Sequence, residues 1–384
     1  MSIEKINQAK AEIAATSAYK TITAFFDADS FCEIDAFAKS GEGFAEVVAG
    51  FGTVEGMPVY AFAQNSDICG GAMSKAQAAK LKKLYGLALK TGAPVVGFYD
   101  SVGGRLNQGT ELLAGCGDVL NAAASLSGVV PQISVALNAA SADIVIMSKD
   151  AQLSLSVTGK HSDAAYNAEN GIASIVCDDA DKAIKAAKEL ILYLPSNNLT
   201  MAPQSFEEAP AEDGCGCVVS RTVDGNSIVK LFNDYGKEAN VRFARLGGQV
   251  VGIVVTKGNE LGCKSANKVA KFVRFCDAFS LPVVTFVNCP GFESIKSATK
   301  ASAAYAEATT VKISVVTGKA IGSGYVALAG TGANADVVYA LPDAVISPVN
   351  VEAAAFIMAP EVISALDMLS GKRVSTLSKK HSTI

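Results

Sequence analysis

Tryptophan is absent from the 384 residues, and histidine occurs only at His161 and His381. A Ser-His-Asp, Cys-His or His-metal mechanism would have to run through one of those two side chains. His161, in Gly159-Lys160-His161-Ser162, reads as a loop residue. Long apolar runs are missing as well: the longest stretches, such as Val250-Val251-Gly252-Ile253-Val254-Val255, fall far short of the ~20 residues that cross a bilayer and read as buried strands. The first ten residues carry charge every few positions and have no apolar signal region, so a cytoplasmic protein is expected. There is no basic excess, since 33 Lys and Arg stand against 37 Asp and Glu for a net charge of −4, and no basic stripe exists to neutralise phosphates. Nucleic acid is excluded as a partner on this reading. The nine cysteines are scattered, and the one close pair, Cys215 and Cys217, has no second pair or adjacent histidine to complete a tetrahedral site. Free thiols and no metal are expected.

What the chain does contain is a copy of itself. Its length already favours two domains, because a single core stops growing well below it. Residues 78–103 match residues 266–291 without a gap: Ala78, Lys80, Lys83, Pro94, Val95, Val96, Phe98 and Gly103 recur as Ala266, Lys268, Lys271, Pro282, Val283, Val284, Phe286 and Gly291, all at an offset of 188. Weaker matches pair Phe51, Gly56 and Val59 with Phe243, Gly248 and Val251 at 192, and 130–135 with 310–315 at 180. Such drift is what insertions and deletions in loops of two duplicated halves produce. Each half reads as a strand pair, a helix of about 17 residues from Ser74 or Lys264, and a short apolar strand at 94–99 or 282–287, followed by further helix and strand. The expected fold is α/β with a largely parallel sheet in each half, divided into residues 1–212 and 213–384 at the polar, proline-bearing stretch that ends near Asp213. The recurring Lys80 and Lys268 read as helix-surface residues.

Loops after the carboxyl ends of parallel strands form the ligand crevice of α/β folds, and here they carry glycine. Asp100-Ser101-Val102-Gly103-Gly104-Arg105 is matched by Asn288-Cys289-Pro290-Gly291-Phe292, and Gly318-Lys319-Ala320-Ile321-Gly322-Ser323-Gly324-Tyr325 follows the next strand. A helix starting at Gly322 would aim free amides at a ligand, and such donors suit a developing oxyanion. Neither a G-x-x-x-x-G-K-[ST] loop nor a G-x-G-x-x-G fingerprint is present, which argues against nucleotides.

Together with Pro58–Gln64, Asp100-Ser101, Ser127–Val135, Tyr193–Asn198, Phe272–Phe279, Pro290-Gly291-Phe292, Tyr305–Thr309 and Lys319-Ala320, these loops make the chain resemble the carboxyltransferase subunits of biotin-dependent acyl-CoA carboxylases and decarboxylases. The resemblance implies tandem crotonase-like (ββα) domains and transfer of a carboxyl group between an acyl-CoA thioester and biotin. The biotin would be borne on a separate carrier protein, since no Met-Lys-Met acceptor occurs here. It also implies a homo-oligomer, with further carboxylase or decarboxylase subunits as partners. Carried over by position, the amides of Ser323 and Gly324 would hold the biotin ureido oxygen and those of Ala142 and Asp143 the thioester enolate, with Gly103, Gly104, Arg105, Gly291, Gly322 and Tyr325 contacting substrates. The family normally has Gly-Gly where Ala142-Asp143 is aligned, and a carboxylate facing that hole would repel an enolate. Two other readings stay open. One is a non-catalytic partner subunit. The other is a crotonase-type hydratase or hydrolase with Asp143 or Glu111 as its acid/base.

Overall fold

A computed structural model describes residues 3–41, 43–136, 142–153, 161–205 and 218–350. The chain divides into two compact units, Met1–Pro203 and Gln204–Ile384. The division expected between 212 and 213 lies outside the described residues, as do Cys215, Cys217 and His381.

The N-terminal unit comprises α1 (Ile3–Ala14), α2 (Ser17–Phe25), β1 (Cys32–Glu33), β2 (Lys39–Ser40), β3 (Gly43–Phe44), β4 (Val47–Val54), β5 (Met57–Gln64), α3 (Lys75–Thr91), β6 (Val95–Tyr99), α4 (Thr110–Ala124), β7 (Gln132–Ala136), β8 (Ile144–Ser148), α5 (Ala164–Glu169), β9 (Ile175–Cys177) and α6 (Ala180–Ile191). Its main sheet runs β1-β4-β5-β6-β7-β8-β9: an antiparallel hairpin, β4–β5, opens into parallel strands from β5 onward. The C-terminal unit repeats the plan with α7 (Val218–Thr222), β10 (Val229–Leu231), β11 (Ala239–Leu246), β12 (Gln249–Thr256), α8 (Cys263–Ala278), β13 (Val283–Cys289), α9 (Ile295–Glu307), β14 (Lys312–Ile321), α10 (Ser323–Leu328), β15 (Val337–Ala340) and β16 (Val345–Ser347). Its strand order is β10-β11-β12-β13-β14-β15, with β16 on the far end of β14. No described helix is long and apolar enough to cross a membrane.

Local chemistry explains why the two halves fold alike. Both hairpins turn on two residues of positive φ, Glu55-Gly56 (+49° and +77°) and Gly247-Gly248 (+59° and +78°), the geometry that matches the strands' right-handed twist. Each turn is held by an upstream aspartate. Asp27 accepts the amides of Glu55 (2.9 Å) and Gly56 (3.0 Å), and Asp224 accepts those of Gly247 (2.9 Å) and Gly248 (2.7 Å). The Gly56 amide, the Thr53 hydroxyl and the Glu55 amide together draw the Asp27 carboxyl below its ordinary range. The cores sit between sheet and helices: Phe62, Leu84, Val95 and Leu126 in one unit, Val251, Ile253, Val284 and Phe286 in the other.

The repeated lysines are not surface residues. Lys80 is 4% exposed and Lys268 2%. Lys80 donates to the Val47 carbonyl (3.0 Å) and pairs with Glu33 (2.9 Å), while Lys268 donates to the carbonyls of Phe232 (3.2 Å) and Tyr235. Sequence alone shows lysine on an amphipathic helix and defaults to the solvent side. Here the long stem is buried and its ammonium ties the start of the hairpin (Val47) or the segment before it (Phe232 and Tyr235) to the helix, so main-chain carbonyls there are satisfied.

Desolvation, with Lys257 adding to it and Glu238 and Asp234 opposing it, lowers the Lys268 ammonium to about 8. Because the unfolded chain holds that proton up to the ordinary lysine range near 10.5, it binds more protons than the native state between these values, and stability from this group rises with pH there. Wild-type protein should therefore gain thermal stability relative to Lys268→Met as pH is raised from 8 to 10, read as the difference between their unfolding midpoints.

Candidate functional site

The loops at the carboxyl ends of the strands are built by the same hydrogen bonds in both units. The Met73 amide donates to the Gly103 carbonyl (2.8 Å) and the Arg105 amide to the Met73 carbonyl (2.9 Å); 188 residues on, the Leu261 amide donates to the Gly291 carbonyl (3.0 Å) and the Glu293 amide to the Leu261 carbonyl (3.2 Å). Gly103 and Gly291 adopt φ of +120° and +152°, values an L side chain resists.

In the C-terminal unit this loop meets the start of α10. Gly322, at φ +50°, lies where a methyl group would come within 2.8 Å of the Pro348 carbonyl oxygen, and a methyl on Gly324 would lie 2.4 Å from the Cys289 carbonyl oxygen. The turn thus seats directly on the end of β13. Its position is fixed from both sides: the Gly322 amide donates to Ser347 (2.9 Å), and Asn288 receives the Lys319 amide on its side-chain oxygen (3.0 Å). Burial pushes the Cys289 thiol up to about 11, so it stays protonated and donates to the Gly291 carbonyl (3.1 Å). Within α10 the Val326 amide makes the first helical bond, to Gly322 (3.1 Å), so the amides of Ser323, Gly324 and Tyr325 precede any intrahelical acceptor. The structure therefore gathers Gly291, Gly322, Ser323 and Gly324. Ser323 borders a cleft of about 400 Å³ walled by Ala298, Thr299, Ser302 and Ala303 of α9 and by Val326 and Ala327 of α10. Tyr325 is not on that wall; its ring packs against Gly330 on the back of the helix. The α9 wall is the part that sequence reading missed, and its signal was there: small residues at 298, 299, 302 and 303 share one helical face.

The N-terminal unit departs from expectation at two places. Arg105 is committed internally: its guanidinium donates to Glu46 and to the Ser40 hydroxyl (both 2.7 Å) and to the Cys69 sulfur (3.2 Å). Glu46 is wholly buried and also receives the Ser74 hydroxyl at the start of α3 (2.5 Å). This ion pair positions the glycine loop rather than presenting a free cation. The second departure is a correction. Ala142 and Asp143 do not lie at the carboxyl ends of the strands. They precede β8, and the Asp143 carboxylate accepts the amide of Gln132, the first residue of β7 (3.1 Å). Since β7 and β8 are parallel, this is the end of the sheet opposite to the Gly103 loop. Asp336, just before β15, does the same for the amide of Lys312, the first residue of β14 (2.7 Å). Ala142-Asp143 is thus the repeat of Ala335-Asp336, a strand-start clamp. Glu111, the other acid/base candidate, pairs on the surface with Lys75 (3.0 Å). His161 sits in a turn at φ +62° and stacks on Tyr166. Removing one partner of a buried ion pair leaves an uncompensated charge, typically about 3–5 kcal/mol, so Arg105→Ala should lower stability by that order in chemical denaturation. Arg105→Met combined with Glu46→Gln should recover part of the loss.

Comparison with known proteins places this geometry. The carboxyl transferase domain model matches residues 15–382. The chain is 32% identical to methylmalonyl-CoA decarboxylase subunit alpha of Veillonella parvula, covering 96% of this chain and 92% of that one. It is 34% identical to the methylmalonyl-CoA carboxyltransferase 12S subunit of Propionibacterium freudenreichii subsp. shermanii, covering 84% and 71%. The first of these alignments runs over 474 positions, more than the 384 residues here, so that relative has internal segments this chain lacks. Among solved structures, transcarboxylase 12S with methylmalonyl-CoA and methylmalonic acid bound superimposes with a TM-score of 0.90 at 29% identity, over 99% of this chain and 88% of that one. The duplicated ββα units are those of the crotonase-like carboxyltransferase fold, and the chain belongs to the carboxyl transferase family, the carboxyltransferase subunits of biotin-dependent acyl-CoA carboxylases and decarboxylases.

Proposed function

We propose that this chain moves a carboxyl group between an acyl-CoA and biotin delivered on a separate carrier protein, and that its C-terminal unit serves the biotin side. The observation that carries the reading is the turn at Gly322–Gly324, whose first amides open beside a cleft with small, uncharged walls. A flat, uncharged bicyclic ring suits such walls; a nucleotide or a polyanion would find no cationic side chain on them. Biotin supplies the ureido nitrogen that takes up or gives up the carboxyl group. What the protein supplies is backbone: the amides of Ser323 and Gly324 stabilise negative charge on the ureido oxygen, and the Gly322 bond to Ser347 together with the seat on Cys289 keep those donors from relaxing. Little else is asked of side chains, which agrees with a chain of two histidines, one of them stacked in a turn. The hydratase reading loses ground, because Asp143 clamps the far end of the sheet and Glu111 is paired with Lys75. A homo-oligomer and a carrier-protein partner are supported by the relatives: the transcarboxylase 12S structures describe a hexamer assembly and a multienzyme core.

Because the donors are amides, side-chain and backbone changes at adjacent positions should separate. Ser323→Ala keeps the amide and should leave the breakdown of free carboxybiotin within about threefold of wild type. Gly324→Ala forces the turn off the Cys289 carbonyl and should slow it by roughly 10²-fold, the effect of losing one oxyanion donor. The measurement is carbon dioxide release, with thermal unfolding as the check that both variants fold; equal rates for the two variants would remove the amide assignment.

A further inference from the structure

The two repeats differ in one crossover. In the C-terminal unit the chain leaves β14 at Ile321, turns at Gly322, forms α10 and the short 3₁₀ turn Thr331–Ala333, and returns to Asp336 and β15. In the N-terminal unit it leaves β7 at Ala136 and is back at Asp143 and β8 within residues 137–143. The strand pairs are otherwise equivalent. Ile133 faces Ile144 as Ile313 faces Val337, and both returns end on an aspartate that takes the amide of the first strand residue. Between those facing residues lie steps of 11 and 24, so the N-terminal crossover is 13 residues shorter. A crossover that carries a helix needs about a dozen residues or more. Seven residues separate Ala136 from Ile144, and at about 3.3 Å each a connection of that length is too short to return along the sheet and also hold an entry turn, a helix and an exit. Whatever Gly322-Ser323-Gly324 does at the end of β14, a connection as short as the one between β7 and β8 is too short to hold a counterpart of that turn and helix.

This bears on the reaction through charge. When a carboxyl group leaves the α-carbon of an acyl thioester, the C–C bond breaks and its electron pair passes onto the thioester oxygen as an enolate. The carboxyl group joins the ureido nitrogen, whose proton ends on the α-carbon. Two oxygens carry developing negative charge, one on each substrate, and each calls for its own donors; losing one donor costs roughly 10²–10³ in rate. Resting on the function proposed above, we infer that this chain is the biotin-side half of a carboxyltransferase, and that a second, non-identical chain of the same fold, with its first crossover complete, supplies the donors for the thioester oxygen.

The chain purified alone provides the test. Its affinities for propionyl-CoA and for 2-nitropropionyl-CoA, whose nitronate mimics the enolate, are compared by calorimetry, alongside breakdown of free carboxybiotin and transfer from methylmalonyl-CoA to free biotin. A site built for the enolate binds its mimic 10²-fold or more tightly than the ground state. The expected result is no preference for the nitronate, or binding of neither, together with carboxybiotin breakdown that depends on Gly324. A preference of 100-fold or more, or methylmalonyl-CoA-dependent carboxylation of biotin by the chain alone, overturns the inference and leaves the proposed function standing. Carboxybiotin breakdown that is absent or indifferent to Gly324→Ala overturns the biotin-side assignment instead, and the inference falls with it.

Discussion

A contact with no room for a methyl group governs the C-terminal site: the α-carbon of Gly324 lies against the carbonyl of Cys289 at the end of β13. From that contact follow the seat of α10 on the sheet, the direction of its first amides and the width of the cleft between α10 and α9. The surrounding bonds all serve to hold it. Gly322 is tied to Ser347, Lys319 to Asn288, and the protonated Cys289 thiol to Gly291. Donors fixed in this way need no reorganisation when charge develops, which is where backbone catalysis gains over water.

Much of the fold was legible in the sequence, because its signals are local and occur twice. The apolar strands at 94–99 and 282–287, the helices expected from Ser74 and Lys264, and the glycine loops that follow each declare a period or a special φ, and the structure has β6, β13, α3, α8 and the loop bonds in those places. The lysines were misread for a physical reason. Helical spacing puts Lys80 and Lys268 on a face but does not say that main-chain carbonyls at the start of one hairpin (Val47) and before the other (Phe232) lie over that face. Arg105 came in as a substrate contact through the resemblance alone, and its pairing with Glu46 was not legible because Glu46 lies far away in sequence, at the foot of β4.

The Ala142-Asp143 assignment failed at a gap. Counting forward from β7, those residues fall where glycine-rich donors belong in the family, and the only local objection is Ala-Asp standing where the family has Gly-Gly. The repeat itself held the correction. Gln132 and Lys312, at the starts of β7 and β14, are 180 apart, whereas Asp143 and Asp336, which receive their amides, are 193 apart. A jump of 13 within so few residues marks a missing segment. The shared Ala-Asp before an apolar run marks where the chain resumes.

The short crossover after β7 also says something about how such chains change over time. A parallel sheet keeps its ladder whatever its crossovers carry, and β7 and β8 stay in the register that β14 and β15 use. Deletion of a catalytic crossover is therefore nearly invisible to selection for folding, and only selection for activity resists it. Once a gene has doubled its domain, that resistance can lapse in one copy while persisting in the other, and the duplicate is free to become a specialist scaffold. Length differences between repeats that share a strand register then record where the constraint of folding ends and other constraints begin.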